Sequence, residues 1–245
     1  MKKRVGIMQP YFMPYLGYWQ HMASTDEYVL YDDVNYIKKG WINRNRILAL
    51  GKEKMFTIPL SRASQNRKIN SIYLANDAYK ENLYKDLYHS YHKCSMWNSV
   101  NQLMESIIFY EDKHLVSYIL NSITVIADYL DIDTHIILSS NIEKDNELKG
   151  QDKILSICKN LNASTYINPS GGFYLYDEEL FLDNGIELKF IVPEFPKYSQ
   201  EAKDFIPGLS IIDLLFNVNK KELKDMLNKY QLKRKCDIEI GEINE

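Results

Sequence analysis

The sequence predicts an α/β protein: a mostly parallel sheet with a block of helices inserted between its strands. Two observations carry this. In the first and last thirds of the chain, short apolar runs bounded by Gly, Pro, Asn and Asp alternate with stretches of helical period. Between them, from about residue 78 to 131, the period changes from two to nearly four. Leu83, Leu87 and Tyr91 share one helical face there, and Leu115, Ile119, Ile123, Ile126 and Leu130 share another.

Residues 4–8 read as a short buried strand that stops at Gln9-Pro10, and Pro14 and Gly17 then punctuate an aromatic loop. A short helix is expected over 18–24 and a second strand over 28–31, ending in Asp32-Asp33. This strand–loop–helix–strand order is the opening unit of a Rossmann-like sheet, with the N-terminal strand near its centre. Segments 46–50 and 55–60 read as two strands around Gly51, closed by Pro59, and 68–74 as another. After the helical block come a strand at 135–138, a helix at 152–161 and a strand at 165–168. The turn 169–172, a short helix near 177–183 and a strand at 186–192 complete a second βαβ-like alternation. The tail, 209–232, reads as one or two helices, and 236–240 as an edge strand. No repeat, low-complexity linker or boundary divides the chain, so 1–245 is read as one domain.

Composition excludes several classes. A hydrophobic share of 45% with 26% charged residues rules out global disorder. A net charge of −3 gives no overall electrostatic case for gripping nucleic acid or an anionic membrane. Cys94, Cys158 and Cys236 form no CxxC pair, which suits a reducing compartment and offers neither a disulfide framework nor a zinc site. The basic start is followed by an apolar stretch broken at Gln9-Pro10, and no apolar run approaches the roughly 18 residues of a membrane span. A cytoplasmic protein with no membrane span is expected. There is no Gx4GK[ST], GxSxG or HExxH motif, and no histidine has a catalytic partner at a recognisable spacing, so P-loop and common hydrolase chemistries fall away.

The special residues concentrate in the first fifty. Residues 9–18 follow the first strand, where open parallel sheets place their ligand crevice, and Gln9, Tyr11, Tyr15 and Tyr18 are candidates to line it. Gly17 permits close backbone approach, or a turn into a helix whose leading N–H groups favour an anion. In the run 38–46, Trp41 offers a stacking face, Asn43 polar contacts, and Arg44 and Arg46 forks for phosphate oxygens. Asp32 and Asp33 suit a base, a Mg²⁺ ligand or a turn cap. Ser170 and Gly171, in the turn between a strand and a helix, suit a phosphate cradle.

These residues also carry a resemblance. The run 7–18, Tyr31-Asp-Asp-Val34, the run 38–46 and Thr57-Ile-Pro59 resemble the opening of WbqC-like proteins. Residues 166–172, Tyr198-Ser-Gln200 and 209–217 extend the likeness, in order, over essentially the whole chain. The resemblance implies a bacterial protein of lipopolysaccharide O-antigen or capsule clusters, with glycyl or acyl transfer onto amino sugars as the kind of role. A fainter likeness is one of placement: Tyr15-Leu-Gly-Tyr18 stands where nucleotidylyltransferases and pantothenate synthetase carry HxGH, with both histidines replaced by tyrosine.

Together these readings point to a transferase acting on a nucleotide-activated amino sugar, by acyl or aminoacyl transfer. Asp32, Asp33, Tyr15 and Tyr18 are its candidate catalytic groups. Gln9, Tyr11, Trp41, Asn43, Arg44, Arg46, Ser170 and Gly171 are its candidate substrate contacts. No cofactor or oligomeric state is indicated. An ATP-dependent amide ligase working through an acyl-adenylate, and a non-catalytic partner of a polysaccharide assembly complex, are the rival readings.

Overall fold

The computed structural model describes residues 2–239 and 241. Its strands are β1 (Arg4–Met8), β2 (Glu27–Leu30), β3 (Arg44–Ala49), β4 (Lys52–Thr57), β5 (Leu60–Ser61) and β6 (Tyr73–Leu74), then β7 (His135–Leu138), β8 (Thr165–Pro169), β9 (Glu187–Pro193) and β10 (Tyr230–Lys233). Its helices are α1 (Leu16–Ala23), α2 (Ala78–Tyr91), α3 (Trp97–Ile108) and α4 (Leu115–Tyr129), then α5 (Gly150–Asn160), α6 (Glu178–Asp183), α7 (Ile211–Asn217) and α8 (Lys220–Leu227).

Six strands form the main sheet in the order β10-β9-β8-β1-β2-β7; all pairings are parallel except β10 with β9. This is the Rossmann-like, mostly parallel sheet the sequence predicts, with β1 in its interior and helices α2–α4 inserted between β2 and β7. From β1 the chain builds outward through β2 to β7, then crosses back to β8 on the other side. The β1/β8 pair is therefore the topological switch point, where open α/β sheets open a ligand crevice.

Strand residues alternate between two cores because side chains point to opposite faces with period two. Val5, Ile7, Val29, Tyr166 and Phe190 pack with Ile154, Ile157 and Cys158 of α5 and Phe181 of α6. Tyr28 and Leu30 face the other way, into a larger core with Trp19 and Met22 of α1 and the buried stripes of α2–α4, α7 and α8. The helical insertion also buttresses the loop after β1: Phe12 stacks on Tyr118 of α4 with ring centroids 5.3 Å apart.

Three expectations are corrected in detail. Helix α1 begins two residues early, at Leu16, with Tyr15 as its extended N-cap. Segment 68–74 is a single 3-10 turn, Ile69–Ser71, followed by two-residue β6. Its buried anchors are Ile69 and Ile72, three apart, which matches a 3-10 turn better than a strand. The edge strand is β10, not 236–240: the chain leaving α8 at once falls into register beside β9, Tyr230 opposite Pro193 and Lys233 opposite Phe190. Lys235–Asp237 is a 3-10 turn, and Ile240 lies outside the described residues. Among the described residues, no helix is long and apolar enough to cross a membrane.

Candidate functional site

At the C-terminal ends of β1 and β9 the molecule opens into a cleft of about 1310 Å³. Four segments wall it: Met8 at the end of β1 with Tyr11 and Tyr15 of the loop after it; Trp41 and Arg46 around the start of β3; 192–208, the end of β9 and the chain beyond it, which contributes Glu194, Phe195, Lys197, Asp204 and Phe205; and Gln231 of β10. Aromatic faces with a few charged groups at the rim suit a flat, polar ligand better than a lipid.

The loop after β1 is held from beneath. Met13 is buried with a left-handed φ of 45°, a conformation that costs a non-glycine residue about 1 kcal/mol. Its carbonyl accepts from Asn45 Nδ2 at 2.8 Å and from Ser210 Oγ at 2.6 Å, and these bonds offset the strain. Ser210 also donates its N–H to Arg46 O at 2.8 Å, while Ile211 N donates to Pro14 O at 3.0 Å. One residue at the start of α7 thus joins the loop after β1 to β3.

Arg44 and Arg46 are two apart on β3 and so share a face. Their guanidinium carbons lie 5.4 Å and 5.5 Å from the Trp41 ring centroid, within cation–π range. Arg44 Nε donates to Gly40 O at 2.8 Å and its Nη2 to Lys39 O, so it sets the approach to Trp41 without lining the cleft itself. Arg46 does line it. Its Nη1 pairs with Glu53 at 2.8 Å and its Nη2 donates to Gly208 O at 3.0 Å, while its Nε is buried with no partner. Trp41 remains 40% exposed, a ring available for stacking.

The tyrosines are neutral donors here. Burial pushes the Tyr11 hydroxyl up to about 12 and raises those of Tyr15 and Tyr18. Tyr18 donates to Gln9 O at 3.1 Å from a buried position, so its hydroxyl helps to shape the loop after β1.

Asp32, Asp33 and Asn43 are not brought to the cleft lining. Asn43 accepts from Tyr36 OH at 2.7 Å and donates to Ile58 O at 2.7 Å, stitching the chain on either side of the β3–β4 hairpin. Asp32 accepts from Ser140 N at 2.9 Å and Ser140 Oγ at 2.6 Å, anchoring the turn after β7. Asp33 is buried beside Lys153 Nζ at 2.9 Å and Lys144 Nζ at 3.2 Å. Burial works to raise its pKa, but Ser139, Lys153 and Lys144 outweigh that and hold it below the ordinary value. A divalent cation at Asp33 would displace two ammonium groups, so the magnesium option finds no support in this geometry. Among the described residues no group of three His, Cys, Asp or Glu side chains has metal-binding geometry.

Ser170 and Gly171 open the 3-10 turn Ser170–Leu175 at the end of β8, on the other side of the switch point. Ser170 borders a chamber of about 20 Å³ behind Tyr15, whereas Gly171 does not. His21 borders it too, but as a satisfied core residue. Burial pushes its pKa down to about 4, and its Nε2 lies 2.8 Å from Ile167 O, which requires the proton on that nitrogen. Tyr28 OH then donates to Nδ1 at 3.2 Å.

The residue that sequence reasoning missed most plainly is Asp213, in the first turn of α7 and fully buried. It accepts from Tyr91 OH at 2.8 Å, Tyr198 OH at 2.6 Å and Gln200 Nε2 at 3.2 Å. Burial raises its pKa, and the bonds from Tyr198, Tyr91 and Gln200 only partly offset that. Gln200 in turn clasps Ile206 through both its carbonyl and its N–H, at 3.1 Å and 2.9 Å. Asp213 therefore pins the 194–208 wall of the cleft to α2. The available signal was the motif pair 198–200 and 209–217, whose polar members meet here.

Fold and cleft together define a Rossmann-like α/β protein with an aromatic cleft, carrying charges of both signs, near its switch point. The chain belongs to the WbqC-like protein family, whose family model matches residues 9–225. It is similar to a Mycobacterium tuberculosis protein described as "Uncharacterized protein Rv1507c", with 28% identity over 221 residues, covering 88% of this chain and 94% of that one. No solved structure matches.

Proposed function

We propose that the cleft binds a nucleotide-activated amino sugar and that the protein transfers an acyl or aminoacyl group, such as glycyl, to the sugar amine during synthesis of a bacterial surface polysaccharide. The observation that carries this reading is the meeting of Tyr11 and Tyr15 with Trp41 and Arg46 in one cleft. Trp41 stacks on the base, Arg46 meets the diphosphate, and Tyr11 and Tyr15 donate to sugar hydroxyls. In the transfer step the amine nitrogen attacks an activated acyl carbon, its proton passes to a carboxylate, and the donor's leaving group departs with the electron pair of the broken bond. Glu194 and Asp204 are the carboxylates in the lining and take that role in place of Asp32 and Asp33. The engagement of Asp32 and Asp33 elsewhere also favours, as a second reading, a binding protein of the same ligand without chemistry.

Calorimetric titration with UDP-, GDP- and dTDP-sugars tests the proposal. Trp41→Ala is expected to weaken binding by about 1–3 kcal/mol, the range for base–aromatic stacking. Arg46→Lys, which keeps the charge and loses the fork, is expected to cost a similar amount, about 1–3 kcal/mol. It also loses the Gly208 contact, so its melting curve should shift downward while that of Trp41→Ala hardly moves. Failure of all three sugar classes to bind wild type would end the reading. Pyrophosphate release on mixing with ATP and a carboxylic acid would replace it with an acyl-adenylate ligase.

A further inference from the structure

The cleft continues inward past Tyr15. Met8, Tyr15 and Pro193 border both the cleft and the small chamber behind it, so the Tyr15 ring is the partition between them. On one side of the chamber lies the first turn of α1, with Gly17; on the other lies Ser170, after β8. These are the two segments that diverge at the switch point.

Three features of this chamber call for a ligand atom. Ser170 is only 1% exposed, and its hydroxyl has no hydrogen-bond partner among the described residues. That leaves the hydroxyl free to donate to water or to a ligand atom in the chamber. Helix α1 has no side-chain cap, since Tyr15 makes none; the Tyr18 amide donates to Tyr15 O at 3.1 Å, and the Gly17 amide, at the chamber wall, has no acceptor among the described residues. Finally, the lining includes no carboxylate to repel an anion, and His21 turns its N–H away to Ile167 O. Gly17 completes the arrangement. A Cβ there would lie 2.6 Å from the Tyr15 ring, so only glycine lets that ring lie across the start of the helix.

We propose that the chamber is an oxyanion pocket: it receives one oxygen of a phosphate-class group on the ligand, with Ser170 Oγ and the Gly17 amide of α1 as donors. The volume of about 20 Å³ admits one oxygen-sized atom, and the remainder of the group stays in the cleft. This deepens the reading above by assigning the phosphate end of the ligand to the switch point, while Arg46 serves the rim.

Inorganic phosphate is the direct probe, titrated into the full chain. Wild type should bind it with a dissociation constant of about 1 mM, as expected for a small anion. Ser170→Ala should weaken that about tenfold, the loss of one hydrogen bond to a charged group. Gly17→Ala, which forces the Tyr15 ring aside, should weaken it as well. The proposal is overturned if wild type takes up no phosphate, or if Ser170→Ala melts normally and binds phosphate like wild type, leaving the chamber to a water. It is also overturned if phosphate in a crystal of the complex lies away from Ser170, which decides the matter should both variants fail to fold. Any of these results leaves nucleotide-sugar binding through Trp41 to be judged on its own titration.

Discussion

Asp33→Ala is expected to destabilise the protein by about 4 kcal/mol, because it strands two buried ammonium groups, those of Lys144 and Lys153. Urea unfolding at neutral pH measures it. A loss under about 1 kcal/mol, the scale of an exposed ion pair, would show that the cluster is open to solvent and that Asp33 is free for chemistry. The pH dependence has a definite sign. The folded pKa of Asp33 is held below its ordinary value of 3.8, so its contribution is complete above that pH and is lost as pH falls through the folded pKa. Asp33→Asn should be less stable than wild type at neutral pH and should lack this acid loss.

Asp213→Ala is expected to cost about 3 kcal/mol, since it leaves the hydroxyls of Tyr91 and Tyr198 and the amide of Gln200 without their shared acceptor. The consequence for function is local. Segment 194–208 should exchange its amide hydrogens faster, and ligand affinity should fall even though Asp213 touches no ligand. Unchanged exchange in that segment would remove Asp213 from the support of the cleft. Here the linkage runs the other way from Asp33. Burial raises the folded pKa above 3.8, so the folded state binds the proton more tightly and stability falls as pH rises from 3.8 through the folded value. The stability of wild type relative to Asp213→Asn should therefore be greatest in acid and decline across that window.

Much of the architecture was legible because it is written locally. The alternation over 4–8 and 28–31, the proline and glycine punctuation between them and the four-residue spacing from Leu83 to Leu130 are read over a few neighbours at a time. They yielded β1, β2, the α2–α4 block and the second βαβ alternation. The meeting of Tyr15 with Arg46 was legible for a related reason: loops that follow strands of a parallel sheet emerge at one edge. Arg44 was assigned the same role from the same run of residues, yet it reaches the cleft only through Trp41.

Sequence by itself determined the order of most elements, their periods and the edge of the sheet at which the loop 9–18 emerges. Tertiary structure alone decided what each polar residue is free to do. Asp33 looked available beside Asp32 until Lys153, 120 positions later, was brought to it. Asp213 looked like one polar position in an apolar helix until Tyr91, 122 positions earlier, met it in the core. Periodicity is set by the geometry of adjacent peptides, and so survives in one dimension. The charge state and hydrogen bonding of a buried group are set by whichever distant side chains share its few ångströms of low-dielectric space.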